Sequence, residues 1–579
     1  MELFTHSALP FPAGLGPRAR QAVWPVLSSL TRLRELNTLY DAVAHLRGAA
    51  FIDAVLRQLG ITIDVDPVEL NRLPRHGAFV AVANHPSGML DGLVLLHLLL
   101  RARPELRAVA TERLKPLETA VGEHLVLVQT DPDAAARNTP RLRHLLRHLH
   151  NDIPLLLFPA GEVAHSPALF QPSTDPAWHP TARRLLTVTP VPVVPIWLSG
   201  HNSAAFSWLG LVHPLLRTAR LPAELLNKRG QTVRVRIGHP VAASELRRLP
   251  EPEQLPYLRA RVFALGAPCV APPDVPPMRP PVAPEIHPTL VRADLDALRP
   301  GRCLLQTRQW EVYEARAAEI PNALREIGRL RELTFRAVGE GTGRPLDLDA
   351  YDRYYRHLLL YDRERGLLVG AYRLGPGRAI LRCYGKRGLY LHSLFRLKKG
   401  IKPLLRESVE LGRSWVRAEY QRQPLPLALL WKGISAWLAR HPEVRYLIGP
   451  VSISNHFSSV SKAVLTEYLT RHCFDAELAR HVRPRKQFRY RPVAGTAPTD
   501  APPGLLGAGL DSLDALSRLI ADIEPAGRGL PVLLRQYLRQ NGRLIGFNLD
   551  PAFSNALDGF LVLRAGELPG QMQRLLARY

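Results

Sequence analysis

The segment Asn84-His-Pro-Ser-Gly-Met-Leu-Asp91 sets a histidine, His85, with five residues between it and a carboxylate, Asp91. The apolar run before it, Gly77–Ala83, reads as a buried strand, and Pro86-Ser87-Gly88 turns the chain into an apolar helix that starts near Asp91. A His at the end of a strand, facing an Asp at the mouth of a helix, can act as a general base. The carboxylate keeps one imidazole nitrogen protonated and leaves the other free to take a proton. The glycines 88 and 92 leave backbone N–H groups at the helix start open to an anionic group. Alone, such a pair more often caps a turn and a helix, so the rest of the chain decides its meaning.

A second set of polar residues lies far downstream. Leu346-Asp-Leu-Asp-Ala-Tyr-Asp352 places Asp347, Asp349 and Asp352 beside apolar and aromatic neighbours, a patch suited to a cationic ammonium group or, equally, a solvated turn. Arg331 and Phe335 precede it. Arg373 follows on the apolar run Gly366–Leu374, and Glu410-Leu-Gly-Arg413 lies beyond.

The elements that must position these residues follow from periodicity. The N-terminal segment 1–60 carries helical spacing from residue 17 onward (Val23, Leu27, Leu30, Leu33, Leu36), with arginines and Trp24 interleaved. That fits a helix packed on the next domain or one lying on a membrane surface. From 61 to 265, short apolar runs at 77–83, 125–129, 154–158, 191–198 and 233–237 alternate with helical stretches at 91–103 and 141–151. That alternation predicts an α/β domain with a largely parallel sheet. The Pro-dense stretch 266–305 reads as a semi-rigid linker. A second α/β domain is expected over 306–579. Its predicted helices lie at 321–333, 427–440 and 530–540, and its predicted strands at 366–374, 378–383, 446–453, 543–550 and 560–563. Residues 406–415 fit a helix end or a strand, and 493–510 a Pro/Gly/Ala-rich loop.

Composition bounds the function classes. The 579 residues hold 76 Lys+Arg against 51 Asp+Glu, a net +25 that points to acidic partners or an anionic membrane surface, although abundant Arg and 53 Pro also fit a GC-rich genome. The basic residues are spread along the chain without a nucleic-acid motif, so no nucleic-acid partner is expected. The four cysteines (269, 303, 383, 473) have neither metal-ligand nor redox spacing, so no metal is expected. No signal-peptide pattern opens the sequence and no run of about 20 apolar residues occurs, which predicts a cytoplasmic chain, soluble or peripheral to the inner membrane. A pore-forming protein is disfavoured on the same grounds.

Two motif series carry a resemblance. His85/Asp91, then Phe158-Pro-Ala-Gly-Glu-Val163, then Val191-Pro-Val-Val-Pro-Ile196 resemble, in that order, the motifs of the glycerolipid acyltransferases. There a His-x4-Asp pair deprotonates an acceptor hydroxyl that attacks an acyl thioester. This chain has one more residue between His and Asp, and Pro-Ala-Gly-Glu in place of Pro-Glu-Gly. Both variants look like those of hemolysin-like or ornithine-lipid acyltransferases. The resemblance implies substrate contacts at Asn84 and Gly161, and a role for Glu162 in meeting the amine of an amino-acid lipid.

Downstream, Arg331-x3-Phe335, Asp347-x-Asp349-x2-Asp352, Arg373 and Glu410-x2-Arg413 resemble the signature of acyl-homoserine-lactone synthases, enzymes of the GNAT fold. The phrases Leu330-Arg-Glu-Leu-Thr-Phe-Arg336, Glu410-Leu-Gly-Arg-Ser414 and Leu430-Trp-Lys-Gly-Ile434 are closer still to the GNAT N-acyltransferases of ornithine-lipid synthesis. The resemblance implies that Arg331, Phe335, Asp347, Asp349, Asp352, Arg373 and Arg413 bind substrate and that Glu410 is the general base, with an aspartate as the open alternative. Most GNAT proteins cradle a pyrophosphate with a glycine-rich loop, and Tyr420-Gln-Arg-Gln-Pro-Leu-Pro-Leu427 has no glycine. An acyl carrier protein thioester is therefore the expected donor, with acyl-CoA as the alternative and no bound cofactor. Carrier proteins are acidic, and Arg396, Lys398, Lys399 and Lys402 offer a docking face.

The expectation is a bifunctional acyltransferase. The C-terminal domain would N-acylate an amino acid, ornithine by preference, with a 3-hydroxyacyl group. The N-terminal domain would then O-acylate the new hydroxyl at membrane lipids of the cytoplasmic leaflet. The runner-up is a lysophospholipid acyltransferase fused to a GNAT module with another acceptor.

Overall fold

Along residues 78–83, Phe79, Ala81 and Ala83 enter one buried cluster while Ala78, Val80 and Val82 enter another. The period-2 alternation of a strand thus buries both faces, as a sheet covered by helices on each side requires. The computed structural model describes residues 31–129, 134–166, 168, 173–187, 189–267, 280–490, 503–524 and 527–567. The chain forms two compact units, one of residues 1–268 and 492–529, the other of 269–491 and 530–579.

The first unit holds β1 (Thr62–Val65), β2 (Val80–Ala83), β3 (Arg107–Thr111), β4 (Leu125–Val128), β5 (Leu155–Leu157), β6 (Val193–Leu198) and β7 (Thr232–Ile237). They form one sheet in the order β1-β7-β6-β2-β5-β3-β4, parallel except for the β6–β7 pair. The helices Leu33–Val43, Gly48–Gln58 and Met89–Ala102 supply one covering layer, and Ala134–His150, Pro180–Thr187 and Glu251–Leu265 the other. Leu33, Leu36, Leu39, Phe51, Ile52 and Val55 are buried in the core, so the amphipathic segment packs on the sheet over this range. Its portion before residue 31 lies outside the described residues.

Two boundaries differ from the sequence expectation. Within the expected linker 266–305, Pro288–Arg302 is a helix, because Val291, Leu295 and Leu298 recur at helical spacing and are buried. The remaining proline-dense part, 268–279, lies outside the described residues. The expected C-terminal domain is also interrupted, since 503–524 folds with the first unit. There the helix Leu513–Ile523, capped by Ser512, delivers a buried Asp522. Its carboxylate accepts from Arg72 at 3.1 Å, from the His239 amide at 3.1 Å and ring Nδ1 at 2.6 Å, and from Arg261 at 3.3 Å. The expected loop at 493–510 is helical over Pro503–Ala508, and its residues before 503 lie outside the described range.

The second unit contains β8 (Cys303–Thr307), β9 (Trp310–Arg316), β10 (Arg356–Asp362), β11 (Leu367–Pro376), β12 (Phe395–Leu397), β13 (Ser408–Val416), β14 (Tyr446–Ile453), β15 (Val482–Pro484), β16 (Arg543–Asp550) and β17 (Ala556–Arg564). Eight of them make a sheet in the order β16-β17-β14-β13-β11-β10-β9-β8, and β12 pairs with β15. The predicted strand at 378–383 is instead the helix Gly377–Cys383. Its Ala, Leu and Arg residues favour a helix. Gly377 also sits where a Cβ would collide with the Leu405 carbonyl, so the chain turns there only through a glycine.

Most of this sheet is antiparallel, but β13 and β14 run parallel and pair only through Ser408–Tyr446, Val409–Leu447 and Glu410–Ile448. Beyond that they diverge. Pro450, with no N–H, follows two residues later on β14, and Arg413 on β13 adopts φ +48°, a left-handed conformation uncommon for a residue with a side chain. The ladder between these two neighbouring strands therefore ends at Glu410 and Ile448.

Candidate functional sites

In the first unit, the His85 ring Nδ1 lies 2.9 Å from Asp91 Oδ2, and the same oxygen accepts from the Ser87 and Gly88 amides at 2.8 and 2.9 Å. The Pro-Ser-Gly turn therefore wraps around the carboxylate it must position, with Gly88 at φ +83°. Asp91 is buried and acts only as acceptor, which assigns the hydrogen to His85 Nδ1 and leaves Nε2 with its lone pair. The ring is part-exposed and stacks on Phe158 with centroids 4.2 Å apart, so one block of the motif series orients the histidine of another. Asn84 fixes the strand end, donating to the Leu198 carbonyl at 2.9 Å and accepting from its amide at 2.8 Å.

Gly161 adopts φ +68° in a turn closed by its amide to the Phe158 carbonyl at 3.0 Å. Glu162 projects outward and pairs with Arg217 at 2.8 Å. Its carboxylate thus already meets a cation of this chain.

Several residues around the pair had no signal in the sequence. Asp175 accepts from the His85 amide at 3.1 Å, and burial pushes its carboxyl up to about 6. Arg259 donates to the Asp175 carbonyl at 2.9 Å. The loop after β6 runs against the Pro-Ser-Gly turn, close enough that a Cβ on Gly200 would lie 2.6 Å from Ser87 Oγ. On that loop, Asn202 is buried with neither amide atom hydrogen-bonded among the described residues, and Lys228 donates to the His201 carbonyl. Burial lowers the Lys228 ammonium, against the pull of Glu224 and Asp91.

In the second unit the predicted residues do come together, but as partners of one another. Arg331 donates to Asp352 at 2.8 Å, Arg373 donates to Asp349 at 2.7 Å and lies 3.3 Å from Asp352, and Arg413 lies 3.3 Å from Asp347. Burial alone would raise the Asp352 carboxyl, yet Arg331 and Arg373 hold it well below the usual carboxylate range. All three aspartates thus face arginines, and none presents a free carboxylate to an ammonium ion. Arg373 is further enclosed by the rings of Tyr351, Tyr355 and Tyr390 at 5.5, 5.1 and 5.6 Å. Phe335 is a buried core side chain set edge-on to Phe553, whose face carries Arg413 at 4.9 Å.

Glu410 is buried at the last position of β13 that pairs with β14. Its Oε1 accepts from the Leu391 amide at 2.6 Å, and its Oε2 from the Tyr390 amide at 3.0 Å and from the Tyr355 hydroxyl. Burial raises its carboxyl, with those donors and Arg373 opposing. The arrangement anchors the 389–391 segment.

Past Glu410, at the divergent ends of β13 and β14, stand Arg413, Ser452 and Asp558. Ser452 donates to Asp558 at 2.8 Å, and Tyr390 donates to Asp550 at 3.0 Å. Burial, with Asp550 next, pushes the Asp558 carboxyl up to about 8. The helix Pro424–Ala439 begins with Pro424 and Pro426, which removes two of the four N–H groups a helix start would offer a pyrophosphate. Among the described residues, no cluster of His, Cys, Asp or Glu is placed to hold a metal, and no helix is long and apolar enough to cross a membrane.

Residues 26–268 match the family model described as acyltransferase, and residues 330–432 match that of the acetyltransferase (GNAT) domain. The first unit is thus acyltransferase-type and the second GNAT-like, within a mixed α/β fold. It is 32% identical over 178 residues to a glycine N(alpha)-acyltransferase of Phocaeicola vulgatus, covering 29% of this chain and 55% of that protein. It is likewise 32% identical over 180 residues to one of Bacteroides thetaiotaomicron, covering 29% and 53%. The chain therefore spans about half the length of the curated relatives it matches. Two solved structures are similar at a lower level. The 1-acyl-sn-glycerophosphate acyltransferase PlsC of Thermotoga maritima is 16% identical, covering 41% of this chain and 87% of that one, with a TM-score of 0.24. The AHL synthase LasI is 18% identical, covering 28% and 80%, with a TM-score of 0.19. Scores this low carry no weight for fold or function.

Proposed function

We propose that this chain is a two-site acyltransferase that builds a diacylated aminolipid. The C-terminal unit transfers a 3-hydroxyacyl group from a carrier-protein thioester to the amine of an amino acid. The N-terminal unit then uses His85 Nε2 to take the proton of that 3-hydroxyl, whose oxygen attacks a second acyl thioester. The observation that carries this reading is the His85–Asp91 geometry. A buried acceptor fixes Nδ1–H and leaves the second nitrogen of a part-exposed ring free, in a domain that matches an acyltransferase model.

A nucleotide-free donor is supported by the prolines at the start of the helix Pro424–Ala439. The net charge of +25 supports docking of an acidic carrier protein and work at the cytoplasmic leaflet of the inner membrane.

Ornithine is the acceptor of the first reading. A second reading, with glycine as acceptor, is favoured by the pairing of Asp347, Asp349 and Asp352 with arginines, which leaves them unable to recognise a cationic side chain. The names of the two relatives at 32% identity favour it too.

The test is expression in a host without aminolipids, followed by lipid mass spectrometry. A diacylated ornithine or glycine lipid is expected, its headgroup mass separating the two readings. Absence of any new aminolipid sinks both.

A further inference from the structure

The amine must shed a proton as it attacks, and the side chain first expected to receive it is fully engaged. Three donors occupy both oxygens of Glu410, and arginines neutralise the three aspartates of the 347–352 segment. A different carboxylate has Arg413 of β13 and Asp558 of β17 among its charged neighbours. Glu340 lies in the loop Gly339-Glu-Gly-Thr-Gly343, is part-buried, and has no side-chain hydrogen bond or ion pair among the described residues.

Its loop is built to hold it there. Glu332 accepts from the Thr342 hydroxyl at 2.6 Å and from the Thr342 and Gly343 amides at 3.1 and 2.8 Å, which pins the loop's far end. The Ser454 hydroxyl donates to the Val338 carbonyl at 2.6 Å and ties its near end to the chain just past β14. Gly339, at φ +76°, passes so close to His456 that a Cβ would collide with the ring.

The charged groups facing Glu340 come from each neighbouring element: Arg413 on β13, Lys462 on the helix Ser459–His472, and Asp558 on β17. His456 and Arg336 flank the loop at Gly339 and Gly341.

We propose that Glu340 is the general base of the N-acyl transfer, receiving the proton of an ammonium substrate seated at the open end of β13 and β14. This rests on the function proposed above. The ammonium gives one proton to the Glu340 carboxylate, and the freed nitrogen lone pair attacks the thioester carbonyl carbon. The C–N bond forms and the C–S bond breaks. The sulfur leaves as a thiol with the second proton shed by nitrogen, and the glutamic acid returns its proton to solvent. Burial pushes the Glu340 carboxyl up to about 7, opposed by Arg413 and Lys462, which suits a base working near neutrality.

The test uses the full chain, a 3-hydroxypalmitoyl carrier-protein thioester, and ornithine and glycine as acceptors. N-acyl product is read by mass spectrometry across about pH 5.5–9.5, a range set by the amine and carboxyl titrations. The wild-type kcat should fall on the acid side of about pH 7 as Glu340 takes up its proton. Glu340→Gln should lower kcat at about pH 7 by about 100-fold or more and change the acceptor KM by less than about threefold. Its remaining rate should rise with pH as the free amine accumulates. Glu340→Asp should keep the acid limb at reduced kcat. An active wild type alongside a Glu340→Gln variant with unchanged kcat and acid limb overturns the assignment of Glu340 alone. A Glu340→Asp variant without an acid limb overturns it too. A wild type that acylates neither amine overturns the proposed function and this step with it.

Discussion

Tyr355 donates its phenolic hydrogen to Glu410, and with the Tyr390 and Leu391 amides it leaves neither oxygen of that carboxylate free. The carboxylate that the resemblance implies as general base is therefore held as an acceptor at the last position where β13 pairs with β14. Replacing Glu410 with Ala strands two backbone amides and a buried hydroxyl, each costing about 1–3 kcal/mol. A loss of about 3 kcal/mol or more is expected in urea unfolding. Full stability of the variant would show that the anchoring role is wrong.

The His85–Asp91 pair makes a separable prediction. His85→Ala should lower O-acyl transfer by about 100-fold or more while leaving N-acyl transfer intact, so that the mono-acylated amino acid accumulates. Asp91→Asn should give a similar kinetic loss, because a neutral amide no longer stabilises the imidazolium that forms as His85 takes up the proton. The two lipid products, separated by mass, decide the matter.

Asp522 tests the excursion of 503–524 into the first unit. Its buried carboxylate serves Arg72, Arg261 and His239. Removing one partner of such a buried network costs about 3–5 kcal/mol. Asp522→Ala should therefore lower the melting transition of the first unit, while N-acyl transfer by the second persists in the cold. An unchanged melt would mean the segment adds nothing to that unit.

Asp558 gives a pH dependence of the opposite sign to an ordinary ion-paired carboxylate. Its folded carboxyl is raised to about 8, so folding favours the protonated form. That contribution is complete below the unfolded value near pH 4 and is lost as pH rises through about 8. Asp558→Asn keeps the shape without the charge. It should raise the melting temperature by a few degrees at about pH 8–9 and change it little at about pH 4–5, roughly the scale of 1 kcal/mol in a domain of this size. Equal melting of both proteins at the alkaline end would contradict the shift.

Much of the architecture is legible along the chain because it depends on local pattern. The run 78–83 alternates its two apolar faces, and the turn 86–88 has the Pro-Ser-Gly chemistry that leads a strand into a helix. The ordered motifs place His85, Phe158 and the strand Val193–Leu198 in one unit, and the structure stacks the first two rings at 4.2 Å. Where local pattern serves two outcomes, tertiary contacts choose between them. Arg378–Cys383 fits a strand by its apolar content yet forms a helix, because the close approach of Gly377 to Leu405 turns the chain out of the sheet.

For His85, local sequence is enough to name the partner, since Asp91 is reached through one short turn and the pairing is settled within seven residues. For the downstream carboxylates it says only which residues are present. Whether a carboxylate is free or neutralised depends on groups brought from distant parts of the chain: Arg373 reaches Asp349, Tyr355 reaches Glu410, and Ser452 reaches Asp558. Sheet register joins Ser452 to Asp558, while Asp349 and Tyr355 come from the segment before β10, and none of these pairings follows from spacing along the chain. It is that tertiary arrangement, therefore, that makes Glu410 an anchor, binds the aspartates to arginines and leaves Glu340 without a side-chain hydrogen bond among the described residues.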